Sequence, residues 1–335
     1  MVRTLDELAE LSGVSRATVS RVINGGPASE ATRRRVLEVV ERTGFRPNTA
    51  ARTLAAGRGR SGVVGVVMHV QAQQLFRDPY FSGLLQGMSE GISERADGMM
   101  LWLGHRPKAE TLERILRNRT IDGVIATADH TDDPLVDGLL ASHLPTVLIG
   151  HRRADSTASY VDVDNVRAAE VVTEHLLRIG RRRIGHITGG RGTVAGADRL
   201  EGFLRAMRHA GREADAVITE GDFSIAGGAA GTAFLLGEGV EAIFGANDAT
   251  AAGALSAIRE RGLRVPEDVA VAGFDDLEFA ATLDPPLTTV RQGVVQQGEE
   301  AVSTLLQLVD DPEAWPRRVI LPTELVVRQS TVGRR

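Results

Sequence analysis

The sequence predicts an α/β protein in two parts, a short helical head and a larger body built on parallel sheet. Three observations carry this. Residues 1–60 contain three segments of helical periodicity separated by glycines, without a strand-like run. From residue 62 onward, short apolar runs alternate with amphipathic stretches of about 15–25 residues, long enough for crossover helices. The length, 335 residues, exceeds what one small core supports and calls for two or three domains.

The head opens at Thr4, which with Glu7 fits a capping box, and its first helix carries Leu5, Leu8, Ala9 and Leu11. Gly13 ends it in a left-handed conformation. Ser15 caps a second helix whose Val19, Val22 and Ile23 face inward. The third helix starts at Ser29, places Val36, Leu37 and Val40 at helical spacing, and stops at Gly44. Three short helices with a tight turn between the first two form a helix-turn-helix unit, whose second helix enters the major groove of DNA. GVSRATVSRVINGG (13–26) suits that role, since its density of polar donors fits neither a core helix nor an ordinary solvated one. Arg16 is the candidate for a two-pronged contact to guanine, a pairing that discriminates bases by roughly 1–3 kcal/mol. Ala17 is small enough to meet a thymine methyl. Thr4, Ser15, Thr18, Ser20, Asn24, Ser29 and Thr32 suit phosphates, which fix register without reading sequence. In FRPNTAARTLAAGRGRSG, Asn48 caps a single turn displaying Leu54 beside Arg52. So short a helix needs a partner to order, and its leucine suits wedging into the minor groove.

Charge agrees with this placement. Net charge is −5, yet residues 1–60 hold eleven Arg against six Asp or Glu, and the remainder 28 basic against 38 acidic. A basic end on an acidic body suits a polyanionic partner. Lys108 is the only lysine, so arginine abundance is a chain-wide bias and only its placement is informative. Hydrophobic residues at 42% and charged residues at 25% describe a soluble globular protein. No apolar run reaches the roughly 18 residues of a membrane span, and MVRTLDELAEL lacks a signal-peptide core. With no cysteine, disulfides, thiol catalysis and Cys-based zinc sites are excluded. A cytoplasmic protein is expected.

TLDELAELSGVSRATVSRVIN, SEATRRRV and GFRPNTAARTLA closely resemble the DNA-binding head of the lactose/galactose-repressor (LacI/GalR-type) family of transcriptional regulators. The resemblance implies base reading by Arg16 and Ala17 with Arg21 nearby, and an intercalating hinge leucine at Leu54. INGGPASEATR is one residue shorter than usual between Asn24 and Ser29, which touches the phosphate contacts of that loop.

In the body, the strand-like runs are VVGVVMHV (63–70), MMLWLG (99–104), DGVIATA (122–128), PTVLIGH (145–151), RRIGHITGG (182–190), DAVITEGD (215–222), EAIFGAND (241–248) and DVAVAGFDD (268–276). Eight such units suggest two doubly wound sheets. Ligands of open parallel sheets sit beyond the strand carboxyl ends, where this sequence puts Asp222 and Phe223, Asn247 and Asp248, and Asp275 and Asp276. Carboxylates and an amide suit pairs of sugar hydroxyls, Phe223 offers a flat face to a pyranose, and Arg199 supplies a forked donor. Asp248 reads as a helix N-cap.

DPYFSGLLQG, GADRLEGF, GDF, GANDATAAGA, GLRVPEDVAVAGFDD and PPLTTVRQ resemble the same family's effector-binding core. That implies a periplasmic-binding-protein-like fold of two doubly wound parallel-sheet subdomains. It places Tyr80, Phe81, Arg199, Phe223, Asn247, Asp275 and Gln292 at effector-contacting positions, and Thr127, Asp162 and Asp164 at positions that vary among members. Where some members carry a carboxylate after the 145–151 run, this chain has Gly150 and His151, which alters the hydroxyls recognised. QQLFRDPYFSG and SYVDVDN are similar to actinobacterial members that sense plant-derived oligosaccharides such as cellobiose. The expected layout is a helix-turn-helix domain (1–47), a hinge helix and linker (48–61) and an effector and dimerisation core (62–335). Within the core, subdomain N covers about 62–161 and 292–320, and subdomain C about 162–291 and 321–331.

The implied protein is a homodimeric repressor of carbohydrate-utilisation genes, bound to a near-palindromic operator and released by a sugar. A nucleotide- or purine-responsive, co-repressed regulator is the alternative. A nucleotide-dependent enzyme rests on GGRGTVAG (189–196), but its glycine spacing is not that of a dinucleotide fingerprint and no Walker lysine is present. No HExxH pair or nucleophile–base motif appears, so no catalytic residue, metal or cofactor is expected. The last residues, VVRQSTVGRR, carry no heptad for a tetramerising helix.

Overall fold

The computed structural model describes residues 4–23, 25–45, 60–68, 70, 72–93, 98–104, 108–118, 120–128, 130–151, 158–190, 192–311 and 316–332. Asn24 and the hinge residues Asn48, Arg52 and Leu54 lie outside them. The chain divides into two compact units, 1–61 and 62–335.

The head is built on helices α1 (Leu5–Ser12), α2 (Arg16–Ile23) and α3 (Glu30–Thr43). The Thr4 hydroxyl accepts from the Glu7 amide, and Gly13 closes α1 at φ 64°, where a Cβ would be strained. The Ser15 Oγ accepts from the Thr18 amide and Ser29 from Thr32, capping the next two helices. Leu8, Val19, Val22, Val36, Val39 and Phe45 form the small core. Leu11 and Leu37, expected inside by spacing, are instead about half exposed, and Val39 takes the inward place on α3. Val36, Val39 and Val40 form the face of α3 packed on this core, and Leu37 falls on the next face.

The second unit contains two parallel sheets. The first uses β1 (Val63–Met68), β2 (Gly98–Leu103), β3 (Gly123–Thr127), β4 (Thr146–Ile149), β5 (Ser159–Val163) and β11 (Arg318–Leu321) in the order β11-β5-β4-β3-β1-β2. Alternation in β1 sends Val64, Val66 and Met68 to one face and Val67 to the other. Both faces are covered, as parallel sheets require. The short helix α4 (Ala72–Arg77) leads into α5 (Pro79–Ser93), which lies with α12 (Val294–Asp310) on the first face, while α6 (Lys108–Arg117) and α7 (Pro134–Leu140) lie on the second. A Cβ on Gly87 of α5 would overlap the Val295 carbonyl of α12, so glycine there permits the close approach of these helices.

The second sheet, ordered β7-β6-β8-β9, uses β6 (Ile184–Ile187), β7 (Ala216–Thr219), β8 (Ala242–Gly245) and β9 (Ala270–Ala272). Its helices are α8 (Asn165–Arg178), α9 (Val194–His209), α10 (Ile225–Gly237) and α11 (Asp248–Glu260). β10 (Thr289–Arg291) and β12 (Glu324–Val326) pair antiparallel, and together with the β5–α8 connection they carry the chain between the two sheets. Four strands, β5, β10, β11 and β12, thus add to the eight expected runs. Each is short or carries polar residues within it, so none reads as an apolar run.

Candidate functional site

On the head, Arg16, Ala17 and Arg21 are exposed along α2. Arg16 Nε lies 3.7 Å from Asp6 Oδ1 with both side chains about two-thirds exposed, a weak tie that leaves its guanidinium easy to redirect. Thr18 and Ser15 share a hydroxyl–hydroxyl contact of 2.9 Å, as do Thr32 and Ser29 at 2.8 Å, so these groups sit at helix amino ends where backbone amides also gather. Arg33, which the sequence reading passed over, donates to the Gly26 carbonyl at 2.8 Å and fixes the loop after α2.

In the second unit, a cavity of about 240 Å³ lies at the carboxyl ends of strands from both sheets, where the topology switches direction. It collects Tyr80, Phe81, Asp162, Arg199, Phe223, Asn247, Asp275 and Gln292. Thr127 and Asp164 do not line it. Thr127 ends β3 buried within the sheet. Asp164 points its carboxylate to the Arg167 amide as the N-cap of α8. Asp78, His130, His151 and Asn165 also line the cavity. Of these, Asp78 precedes the recognisable PYF and Asn165 opens α8, so a search confined to the ends of apolar runs passes over both.

A continuous hydrogen-bonded chain frames the cavity. Arg199, 5% exposed, donates from Nε to Asn165 Oδ1 (3.0 Å) and from Nη1 to the Ala246 carbonyl (2.7 Å). Its Nη1 also stands 3.5 Å from Asp275 Oδ1, and its Cζ sits 3.7 Å from the centroid of the Phe274 ring. Gln292 Nε2 donates to the same Asp275 oxygen, and Gln292 Oε1 accepts from Gln297 Nε2 at 3.0 Å. On the other side Asn165 donates to Asp162 (3.1 Å), whose second oxygen lies 2.6 Å from His151 Nδ1. The His151 ring stacks on Tyr160. Burial pushes the Asp275 carboxyl up to about 7, with Arg199 opposing and Asp78 across the cavity reinforcing the rise. Burial also raises Asp78, against the pull of the Tyr80 amide it accepts from.

Asn247, not Asp248, caps α11: its Oδ1 accepts from the Thr250 amide at 2.8 Å while its Nδ2 donates to the Phe223 carbonyl at 3.1 Å. Asp248 is fully buried one layer behind, accepting from Thr289 and the Leu277 amide, and burial holds its carboxyl well above the ordinary range. The chain enters α11 one residue earlier than the Asp suggested, because Asn247 has the extended backbone of a cap. Phe223, Asp275 and Asp276 are the described non-glycine residues with positive φ, and all three sit at or beside the cavity. The Phe223 ring occupies the place a Cβ on Gly189 would take. Glycine at 189 thereby seats an aromatic face, and Gly190 and Thr193 line the same cavity.

Among the described residues no cluster of three or more His, Asp or Glu could hold a metal ion, and no helix is long and apolar enough to cross a membrane.

Comparison with known proteins agrees with both units. Residues 4–48 match the family model of bacterial regulatory proteins, lacI family, and residues 173–331 match the periplasmic binding protein-like domain. The HTH-type transcriptional regulator CelR of Thermobifida fusca is 38% identical over 334 residues, covering 98% of each chain. The solved CelR–cellobiose complex aligns with a TM-score of 0.76 at 34% identity, covering 98% of this chain and 100% of that one. The lac repressor dimer bound to operator and the anti-inducer ONPF aligns at a TM-score of 0.86 and 28% identity over 99% of both chains. The chain therefore belongs to the LacI family, and it is a DNA-binding transcriptional regulator.

Proposed function

We propose that this regulator is a repressor of carbohydrate-utilisation genes that leaves its operator when a small oligosaccharide fills the cavity. The carrying observation is the cavity's chemistry. Among the described residues, Asp78, Asp162, Asp222 and Asp275 face it with the Arg199 guanidinium, a surplus of acidic groups that disfavours a phosphorylated or otherwise anionic ligand. A neutral polyhydroxylated ligand meets carboxylates and the amides of Asn247 and Gln292 for its hydroxyls, and the rings of Tyr80, Phe81 and Phe223 for its apolar faces. Similarity over nearly the full chain to CelR, whose complex contains cellobiose, supports an oligosaccharide and makes cellobiose the first probe. The same balance of charge argues against a nucleotide co-repressor.

In this reading the ligand lies between a subdomain of about 62–161 and 292–320 and one of about 162–291 and 321–331. Two heads of a homodimer each read one half-site of a near-palindrome, as two-fold proteins do. Arg16, Ala17 and Arg21 meet bases; Thr4, Ser15, Thr18, Ser20, Asn24, Ser29 and Thr32 meet phosphates; Asn48, Arg52 and Leu54 enter the minor groove at the centre. Similarity to the operator-bound lac repressor dimer supports this arrangement.

A thermal-shift screen of mono- and oligosaccharides on the full chain tests the reading, with nucleotides and purines as controls, because a ligand of the folded state raises stability by mass action. A saturating upward shift with a sugar, absent in Asp275→Ala, is expected. A shift produced by a purine and by no sugar would overturn it.

A further inference from the structure

The turn at 275–276 puts two consecutive residues of positive φ at the site. Asp275 has φ 116° and Asp276 φ 55°, both in the region that L side chains avoid. Such geometry persists only where its surroundings over-determine it. The Asp275 amide donates to the Val290 carbonyl at 2.8 Å, anchoring the turn to β10. The larger restraint comes from Asp276, whose carboxylate points away from the cavity and is 6% exposed. Its Oδ2 accepts from Arg291 Nε at 2.7 Å and its Oδ1 from Arg328 Nη2 at 2.6 Å. Each arginine is held in turn. Arg291 Nη1 reaches Glu324 Oε2 at 2.9 Å, and Arg328 Nη1 donates to the Leu287 carbonyl at 2.8 Å.

Arg291 belongs to β10 and Arg328 follows β12, the two strands that carry the chain from one sheet to the other. We infer that Asp276 is a positioning residue: clamped by Arg291 and Arg328, it holds the turn that aims Asp275 into the cavity, and so ties ligand recognition to the strands joining the two sheets. The part of this inference that concerns the ligand rests on the carbohydrate reading. The part that concerns Asp275 does not, because it has a readout without ligand.

That readout is the proton affinity of Asp275. The groups facing it are Arg199 from α9, Asp78 ahead of α5, Asp248 from α11 and Gln292 after β10. Its folded-state value near 7 lies above the ordinary 3.8, so the folded state holds a proton that the unfolded state has lost. Stability attributable to this group is therefore present below about pH 4 and is lost as pH rises towards 7. Relative to Asp275→Asn, the wild type should lose stability across that window.

In an Asp276→Asn background the turn is released, Asp275 reaches water, and the difference between Asp and Asn at 275 should become flat with pH. Calorimetric titration of the full chain with cellobiose should show at least a tenfold weaker Kd for Asp276→Asn. Arg328→Met should weaken it comparably, and Arg328→Lys should stay within about threefold of wild type. The arginine pair keeps the test alive if Asp276→Asn does not fold. An unchanged pH difference, or Arg328→Met binding as wild type does, would overturn the inference. A wild type indifferent to cellobiose but with the pH difference abolished by Asp276→Asn would sink cellobiose as effector and support the clamp.

Discussion

Arg199 joins the wall of the cavity to the interior of the fold. Its guanidinium is buried, stacked on Phe274 and bonded to Asn165, Ala246 and Asp275, so it opposes the rise that burial imposes on Asp275 and fixes that side chain at the cavity wall. Removing one member of a buried pair leaves the other uncompensated, at a cost of about 3–5 kcal/mol. His186 is the contrasting case, a titratable group with no part in the cavity. It lies in β6 between the Phe203 and Phe244 rings, donates from Nδ1 to the Phe244 carbonyl at 2.9 Å, and finds no partner for Nε2 among the described residues. Burial lowers its value from 6.5 to about 4, with the nearby Arg199 charge adding to the effect. The unfolded state therefore takes up a proton that the folded state refuses, and stability present above about pH 6.5 is lost as pH falls towards 4. Denaturant unfolding of His186→Leu between pH 4 and 7 should show a shallower acid slope than wild type; an equal slope would assign the acid sensitivity to other groups. Individual residues were legible where an apolar run ended in Asp, Asn or Phe, which is how Phe223, Asn247 and Asp275 could be found. Asp78 and Asn165 were not, because burial and neighbours make them cavity residues and no local pattern marks them.

Elements were legible in proportion to how completely they are buried. Strands covered on both faces, such as β1, β3 and β4, read as unbroken apolar runs. β5 interrupts its run with Asp162, and β10 and β12 have three residues each, too few for any period to emerge. Helix ends in the head were readable because caps are local chemistry: Thr4, Ser15 and Ser29 each bond within three residues. Which face of α3 is buried depends on α1 and α2, and Leu37 shows that spacing alone does not decide it. Helix α2 carries the clearest element-scale prediction. Arg16→Ala should relax base preference at one position of each half-site, a discrimination of about 1–3 kcal/mol, while affinity for random DNA changes little. Binding measured on a randomised half-site library checks this; equal losses on specific and random DNA would rule out base reading by Arg16.

At the scale of the whole molecule, control requires that the ligand bind one state better than another. A hundredfold weakening of operator binding needs about 2.7 kcal/mol of coupling between the two sites. The cavity draws on strand ends from both sheets, and its framing chain runs from His151 and Asp162 of the first through Asn165 and Arg199 to Asp275 and Gln292. A ligand bridging these groups favours whichever arrangement of the two sheets brings them closest, which is the differential contact that coupling demands. The direction of control is proposed as release. The most direct measurement is operator affinity of the full chain, by fluorescence anisotropy on a palindromic site the protein selects from random DNA, across a sugar panel beginning with cellobiose. One sugar should weaken operator binding at least tenfold in wild type and leave Asp275→Ala unchanged. Operator binding indifferent to every sugar but altered by a purine or nucleotide would contradict the carbohydrate reading.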